Sequence, residues 1–258
     1  MSEIQLRLDG ISKSFPAKSG PVPVLDRLNF DIHERDFVSI IGPSGCGKST
    51  VFNIIAGLID PDEGTLCFRG EDVASLRGRV GYMMQKDLLF PWRTVLQNVL
   101  IGLETKGVDQ RQALDTAREY LSTFGLSGFE HSYPKTLSGG MRQRVALIRT
   151  LVLDPDILLL DEPFSALDYQ TRLYLEGVLI DAVETFHKTV ILVTHDIDEA
   201  VALSKRVVVL SNRPARVKAI HEIALNERSP IAARSDPRFA GYFHMLCGEL
   251  DIQTRAPA

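Results

Sequence analysis

Polar and apolar positions alternate at the start of the chain. Ile4, Leu6 and Leu8 share one side, the two-residue period of a strand. A loop with Pro and Gly over residues 16–23 interrupts, and a second strand is predicted near 28–32. Residues 37–41 form a short apolar run that enters a glycine-rich loop directly, and 48–56 reads as a helix stopped by Gly57 and Pro61. Residues 64–69 and 79–84 predict further strands. From 86 to 153 the pattern changes: 94–103, 109–124 and 139–151 carry the spacing of helices, with a loop containing Pro134 before the last. Strand–helix alternation then returns, with strands at 157–161, 189–194 and 206–210 and helices at 169–186 and from Asp196. On the long helix Leu175, Val178, Leu179, Ala182, Val183 and Phe186 fall on one face, which should pack on a sheet. A last helix near 237–250 is expected to pack on the core. Such alternation implies an α/β fold of parallel strands covered by helices. The division expected is a core of 1–85 and 154–222, an inserted helical lobe at 86–153 and a short extension at 223–258.

Composition narrows the class. Of 258 residues, 45% are hydrophobic and 24% charged, enough for a folded core with an ordinary polar surface. A net charge of −4 argues against a nucleic-acid partner, which needs a basic face. No apolar run approaches the ~20 residues that cross a bilayer, and no secretory signal pattern opens the chain. Cys46, Cys67 and Cys247 are scattered without metal spacing, so reduced thiols in a cytosolic protein are expected.

The glycine-rich loop is Gly42-Pro43-Ser44-Gly45-Cys46-Gly47-Lys48-Ser49-Thr50. Glycines let bare backbone wrap phosphate oxygens, and successive N–H groups then point inward. The helix that follows adds its partial positive end. Lys48 supplies a point charge to the β- and γ-phosphates and Ser49 a hydroxyl to Mg²⁺. Strand, loop and helix occur in the order this motif requires. Cys46 reads as a small filler within it.

Ile157-Leu158-Leu159-Leu160-Asp161-Glu162 places two carboxylates at the end of a buried strand, where ligands bind in open α/β sheets. Asp161 would hold Mg²⁺ through water, and Glu162 would orient the attacking water. Such a strand end is commonplace alone; the loop upstream gives it meaning.

The segment Leu137-Ser138-Gly139-Gly140-Met141-Arg142-Gln143-Arg144, set between loop and acidic strand, resembles the signature of the ATP-binding-cassette (ABC) ATPases. Over residues 4–222 the family's other elements follow in order, with Met141 replacing a commoner glutamine. Gln85 matches the glutamine that senses Mg²⁺ and γ-phosphate. Ser165-Ala166-Leu167-Asp168 matches the loop that crosses to a partner subunit, and His195 the histidine that contacts the γ-phosphate. Phe15 aligns with the adenine-stacking aromatic, a core residue at the sheet edge being the other reading. The resemblance implies a P-loop NTPase core of the ABC type, with an N-terminal antiparallel β subdomain and an inserted helical subdomain. It implies ATP and Mg²⁺ as cofactors and a head-to-tail homodimer, in which Ser138, Gly139 and Gly140 of one copy cap ATP held by Lys48 of the other.

Residues 88–99 and 207–217 look like the nitrate/sulfonate/taurine importer group. That similarity implies an ATP-hydrolysing subunit that energises solute uptake, peripheral at the cytoplasmic face of the membrane. Its expected partners are permease subunits and, indirectly, an external solute-binding protein. Residues 86–92 would carry motion to the permease, although Trp92 could equally pack within the helical lobe. A soluble ABC ATPase acting on DNA or ribosomes and an exporter ATPase are the alternatives.

Overall fold

The computed structural model describes residues 3–18, 20–165, 167–227 and 229–251. Strands β1 (Ile4–Phe15) and β2 (Val22–His33) pair antiparallel from Ile4 opposite His33 to Phe15 opposite Val22. With β4 (Glu63–Phe68) and β5 (Glu71–Val73) they form a four-stranded antiparallel sheet in the order β2-β1-β4-β5. The second strand is therefore longer than expected, and it contains Pro23. Proline fits because β2 lies at the sheet edge, where a missing N–H breaks no inner ladder.

The second sheet has six strands. These are β3 (Phe37–Ile41), β6 (Val80–Met83), β7 (Ile157–Asp161), β8 (Thr189–Val193), β9 (Arg206–Leu210) and β10 (Val217–Glu222), in the order β10-β9-β3-β8-β7-β6. All pairings are parallel except that of β10 with β9. Both faces of the inner strands are covered, so their sequences are continuous apolar runs.

The period of two sorts those runs between two cores. Val38 and Ile40, Ile157 and Leu159, and Ile191 and Val193 join Leu6, Leu28 and Ile32 of the antiparallel sheet, together with Phe52 of α1 (Lys48–Ile55). Phe37 and Ile41, Leu158 and Leu160, and Val190 and Leu192 face the opposite way. They meet α4 (Gly139–Leu151), α5 (Tyr169–Thr185) and α6 (Ile197–Leu203). On α5, Leu175, Leu179, Ala182 and Val183 are buried as expected, while Val178 and Phe186 pack at the margin.

Residues 86–153 hold α2 (Val95–Thr105), α3 (Gln110–Thr123) and α4. Side chains start each helix where the sequence placed it. Thr94 and Gln97 form a reciprocal capping box, Asp109 caps α3 and Ser138 caps α4. The expected last helix is α8 (Phe239–Glu249), which buries Phe239, Leu246 and Cys247. Before it lies the unanticipated α7 (Pro230–Ser235), tied to the core by Arg234. Arg234 Nη1 and Nη2 donate to Glu176 Oε2 and Oε1 at 2.8 and 3.1 Å, and Glu176 is fully buried in α5.

Candidate nucleotide site

The glycine loop leaves β3 and turns into α1 at the edge where the parallel strands end. Gly47 has φ 127°, and a Cβ there would lie 2.8 Å from Leu25 Cδ2 and 2.9 Å from Val24 Cγ1. Only bare backbone fits. Gly47 also caps α1 without a side-chain bond, so no side chain of the cap occupies the N–H groups of the first turn. Lys48 is buried and arches back over the loop, donating from Nζ to the carbonyl oxygens of Gly42 (2.8 Å) and Pro43 (3.2 Å). Cys46 is buried beneath the loop, and burial pushes its thiol up despite the nearby Lys48 charge.

A cleft of about 290 Å³ opens beside this loop. Ser44, Gly45, Lys48, Ser49 and Thr50 line it from the loop; Glu162, Val193 and Arg213 line it from neighbouring strand ends.

Asp161 and Glu162 are adjacent in sequence yet serve different neighbours. Glu162 adopts a left-handed φ of 48°, a conformation that costs a non-glycine residue about 1–3 kcal/mol and persists only where surroundings hold it. Its N–H donates to the Val193 carbonyl at 2.8 Å, and its own carbonyl accepts from Ser165 Oγ at 3.0 Å. The turn leaves Asp161 beside Ser49 and Tyr82, whose hydroxyl donates at 3.4 Å. Burial raises the Asp161 carboxyl, the Ser49 hydrogen bond opposes that, and the Glu162 charge raises it further. Tyr82 is raised as well, by burial first and then by the Asp161 charge.

Of the other three expected catalytic residues, Glu162 gathers two, Gln85 and His195, on one oxygen, while Lys48 stays on the loop carbonyls. Gln85 Nε2 donates to Glu162 Oε2 at 2.9 Å, and His195 Nδ1 lies 3.3 Å from that same oxygen. Three residues from three separate segments thus converge.

Among the described residues no trio of His, Cys, Asp and Glu forms a metal cage. The nearest candidates are the Ser49 hydroxyl and the Asp161 carboxylate, in hydrogen-bond contact with each other. One hydroxyl and one carboxylate suit Mg²⁺, which keeps much of its water and takes few protein ligands. Gln85, also expected as a ligand, is engaged with Glu162 instead of with this pair.

Phe15, Ser138, Gly139, Gly140 and Asp168 do not line the cleft. Phe15 ends β1 with 38% of its surface exposed, and Lys13 Nζ is 5.9 Å from its ring. Ser138 accepts from the Met141 N–H at 3.3 Å, and Asp168 caps α5 through the Thr171 N–H (3.0 Å) and Oγ1 (2.7 Å). Backbone hydrogen bonds from Thr171, the largest cause, hold the Asp168 carboxyl below its usual range. The first turns of α4 and α5 touch each other, since a Cβ at Gly140 would stand 2.5 Å from Thr171 Cγ2. Ala166 lies outside the described residues.

Sequence reasoning missed three contributors. Tyr82 lies within β6, and nothing in its local sequence marks its hydroxyl as a partner of Asp161. Arg213 donates from Nη2 to the Gly45 carbonyl at 2.9 Å. Behind His195, Arg172 Nη1 donates to Asp196 Oδ2 (2.5 Å) and lies 3.6 Å from Glu199 Oε1, while Thr194 Oγ1 donates to Glu199 Oε2 (2.6 Å). Arg172 follows Asp168 by one turn of α5, so this cluster joins the loop at 165–168 to the histidine loop. Asp196, which caps α6, and Glu199, three residues further on, were the only local hint of it.

The chain belongs to the ABC transporter family, whose pattern matches residues 25–165. It is an ATP-binding, ATP-hydrolysing cassette of that family. The aliphatic sulfonates import ATP-binding protein SsuB of Bacillus cereus is 46% identical over 215 residues, covering 83% of this chain and 84% of that protein. The uncharacterized ABC transporter ATP-binding protein MJ0412 of Methanocaldococcus jannaschii is 46% identical over 223 residues, covering 86% and 84%. Among solved structures, the dimeric ABC transporter cassette MJ0796 superposes with a TM-score of 0.76 at 32% identity, covering 85% of this chain and 99% of that one. The same cassette in a post-hydrolysis state with ADP and Pi matches equally well.

Proposed function

We propose that this chain energises uptake of a small solute, most nearly an aliphatic sulfonate, taurine or nitrate, through a membrane ABC importer. The observation that carries the reading is the 46% identity to a sulfonate import ATP-binding protein. Permease subunits would anchor the chain peripherally at the cytoplasmic face, with an external solute-binding protein delivering the cargo. Among the described residues no helix is long and apolar enough to cross a membrane. Trp92 is 71% exposed and packs beside Phe90 at 5.3 Å rather than within the helical segment. That exposed apolar surface follows Gln85 directly and supports a permease contact there. We treat residues 86–153 as the inserted helical subdomain, 1–85 with 154–222 as the core and 223–258 as an extension.

In this mechanism the ATP phosphates lie along residues 42–50 and the base stacks on Phe15. Lys48 leaves the Gly42 and Pro43 carbonyls for the β- and γ-phosphates. Glu162, held by Gln85 and His195, orients a water against the γ-phosphorus; the new P–O bond forms as the bond to the ADP oxygen breaks. Little covalent chemistry is asked of the protein, so fixed position and charge carry the rate. Ser49 and Asp161 would hold Mg²⁺, with the side-chain oxygen of Gln85 available as a third ligand while its Nε2 stays on Glu162, and the bound ion would neutralise phosphate charge. Ser138, Gly139 and Gly140 of a second copy cap the γ-phosphate, and Asp168 sits at the same seam. Their position outside the cleft of a single chain supports that division of labour. Loss of the bridging phosphate releases the two copies.

Reconstitution with the co-purifying permease and binding protein tests the reading. ATP-dependent uptake of a labelled alkanesulfonate, taurine or nitrate is expected. Co-sedimentation with ribosomes or DNA, without a permease, would reject it.

A further inference from the structure

The hairpin between β9 and β10 is built against the glycine loop. Val209 of β9 pairs with Ile41 at the end of β3, so β9 leaves the sheet alongside the loop. Its turn is closed twice: the Ser211 N–H donates to the Arg216 carbonyl at 2.9 Å, and the Arg216 N–H to Ser211 Oγ at 3.0 Å. Fully buried Ala215 then fastens the turn to β2, donating to the Val24 carbonyl (2.8 Å) and accepting from the Asp26 N–H (2.9 Å). Val24 is the residue whose side chain packs on Gly47. Loop and hairpin are thus one rigid corner.

From that corner Arg213 reaches the cleft, with one guanidinium nitrogen on the Gly45 carbonyl. One contact leaves most of its five donors for another acceptor. The charges that line the cleft are arranged by side: Lys48 and Arg213 at the loop, Glu162 opposite. A triphosphate carries several negative charges, and Lys48 alone balances few of them. Arginine matches phosphate oxygens with paired donors as lysine cannot.

We infer that Arg213 is a second cationic ligand of the bound nucleotide's phosphates, presented by the β9–β10 hairpin while it braces the glycine loop at Gly45. The inference rests on the reading that the phosphates lie along residues 42–50.

Titration of the purified full chain with a fluorescent N-methylanthraniloyl ATP tests it, using Arg213→Gln, Arg213→Lys and Lys48→Ala. Glutamine retains an N–H donor for the Gly45 carbonyl but has no charge. Arg213→Gln should weaken binding about tenfold, the effect of losing one charge-assisted contact at a solvated site. Arg213→Lys should retain most of the affinity, and both variants should melt at the wild-type temperature without nucleotide. Wild-type affinity in Arg213→Gln would overturn the inference and reduce Arg213 to a brace. A melting temperature that falls in step with affinity would overturn it too. Lys48→Ala separates the two levels: if it binds as tightly as wild type, the placement of the phosphates itself is wrong.

Discussion

The Gln85 amide donates to the Glu162 carboxylate at 2.9 Å, joining residues 77 apart in the chain, and His195 approaches the same oxygen. A carboxylate gripped in this way has little freedom to rotate, which is what orienting a water requires. Glu162→Gln should therefore keep ATP affinity while phosphate release falls at least about 100-fold. The ATP-bound variant should elute as a dimer in size-exclusion chromatography. Wild-type turnover would remove Glu162 from the role assigned to it.

Composite sites can be tested by mixing. Lys48→Ala and Ser138→Ala should each be inactive alone. A random mixed dimer has one site with both Lys48 and Ser138 intact, so an equal mixture should recover up to about a quarter of wild-type hydrolysis. No recovery at any ratio would argue against sites shared between copies. Ser138→Ala also removes the α4 cap, which costs about 1 kcal/mol, too little to unfold the chain.

Glu199 couples stability to pH. It is 2% exposed, and burial raises its carboxyl to about 7, opposed by the Thr194 hydrogen bond; Asp196 and Glu176 raise it further and Arg172 lowers it. With its folded value above the reference value of 4.5, the folded state binds more protons than the unfolded state between the two. This contribution to stability is complete below 4.5 and is lost as pH rises through about 7. Glu199→Gln should accordingly gain in melting temperature relative to wild type from pH 5 to pH 8, read by calorimetry. A constant difference across that range would refute the coupling.

Arg234→Ala strands Glu176 at zero exposure without its bidentate partner. Burial, the first cause, already raises the Glu176 carboxyl, and Arg234 chiefly, then Arg172, opposes it. Breaking such a pair costs about 3–5 kcal/mol, and protonation of Glu176 should recover part of this at low pH. Urea denaturation at pH 5 and pH 8 would measure both effects. An undiminished midpoint at pH 8 would show that the C-terminal helices are not held to the core through this pair.

Much of this was legible from residues alone. Helices α4 and α8 and strands β3, β7 and β9 fall where hydrophobic periodicity places them, because each depends on its own side chains and on the face it buries. Strands β5 and β10 and helix α7 were missed. The first and last of these are short, and β10, an edge strand, carries only a weak alternation from Val217 to Glu222. Arg213 and Tyr82 were not recognised as site residues because their partners, Gly45 and Asp161, lie 168 and 79 residues away. Neither an arginine in a turn nor a tyrosine in a strand announces such a contact.

What the residues determined unaided is local: where strands and helices run, that a glycine-rich loop follows β3, and that a lysine and a hydroxyl follow it at a helix start. Backbone sterics and side-chain period act over a few positions, so they can be read in order. Only the tertiary structure decided that consecutive Asp161 and Glu162 part company, and that Gln85 and His195 close on one oxygen of Glu162. It also left Ser138 and Asp168 off the cleft. Those outcomes depend on which strands lie side by side and in what register, and strand register is settled by packing between segments far apart in the chain.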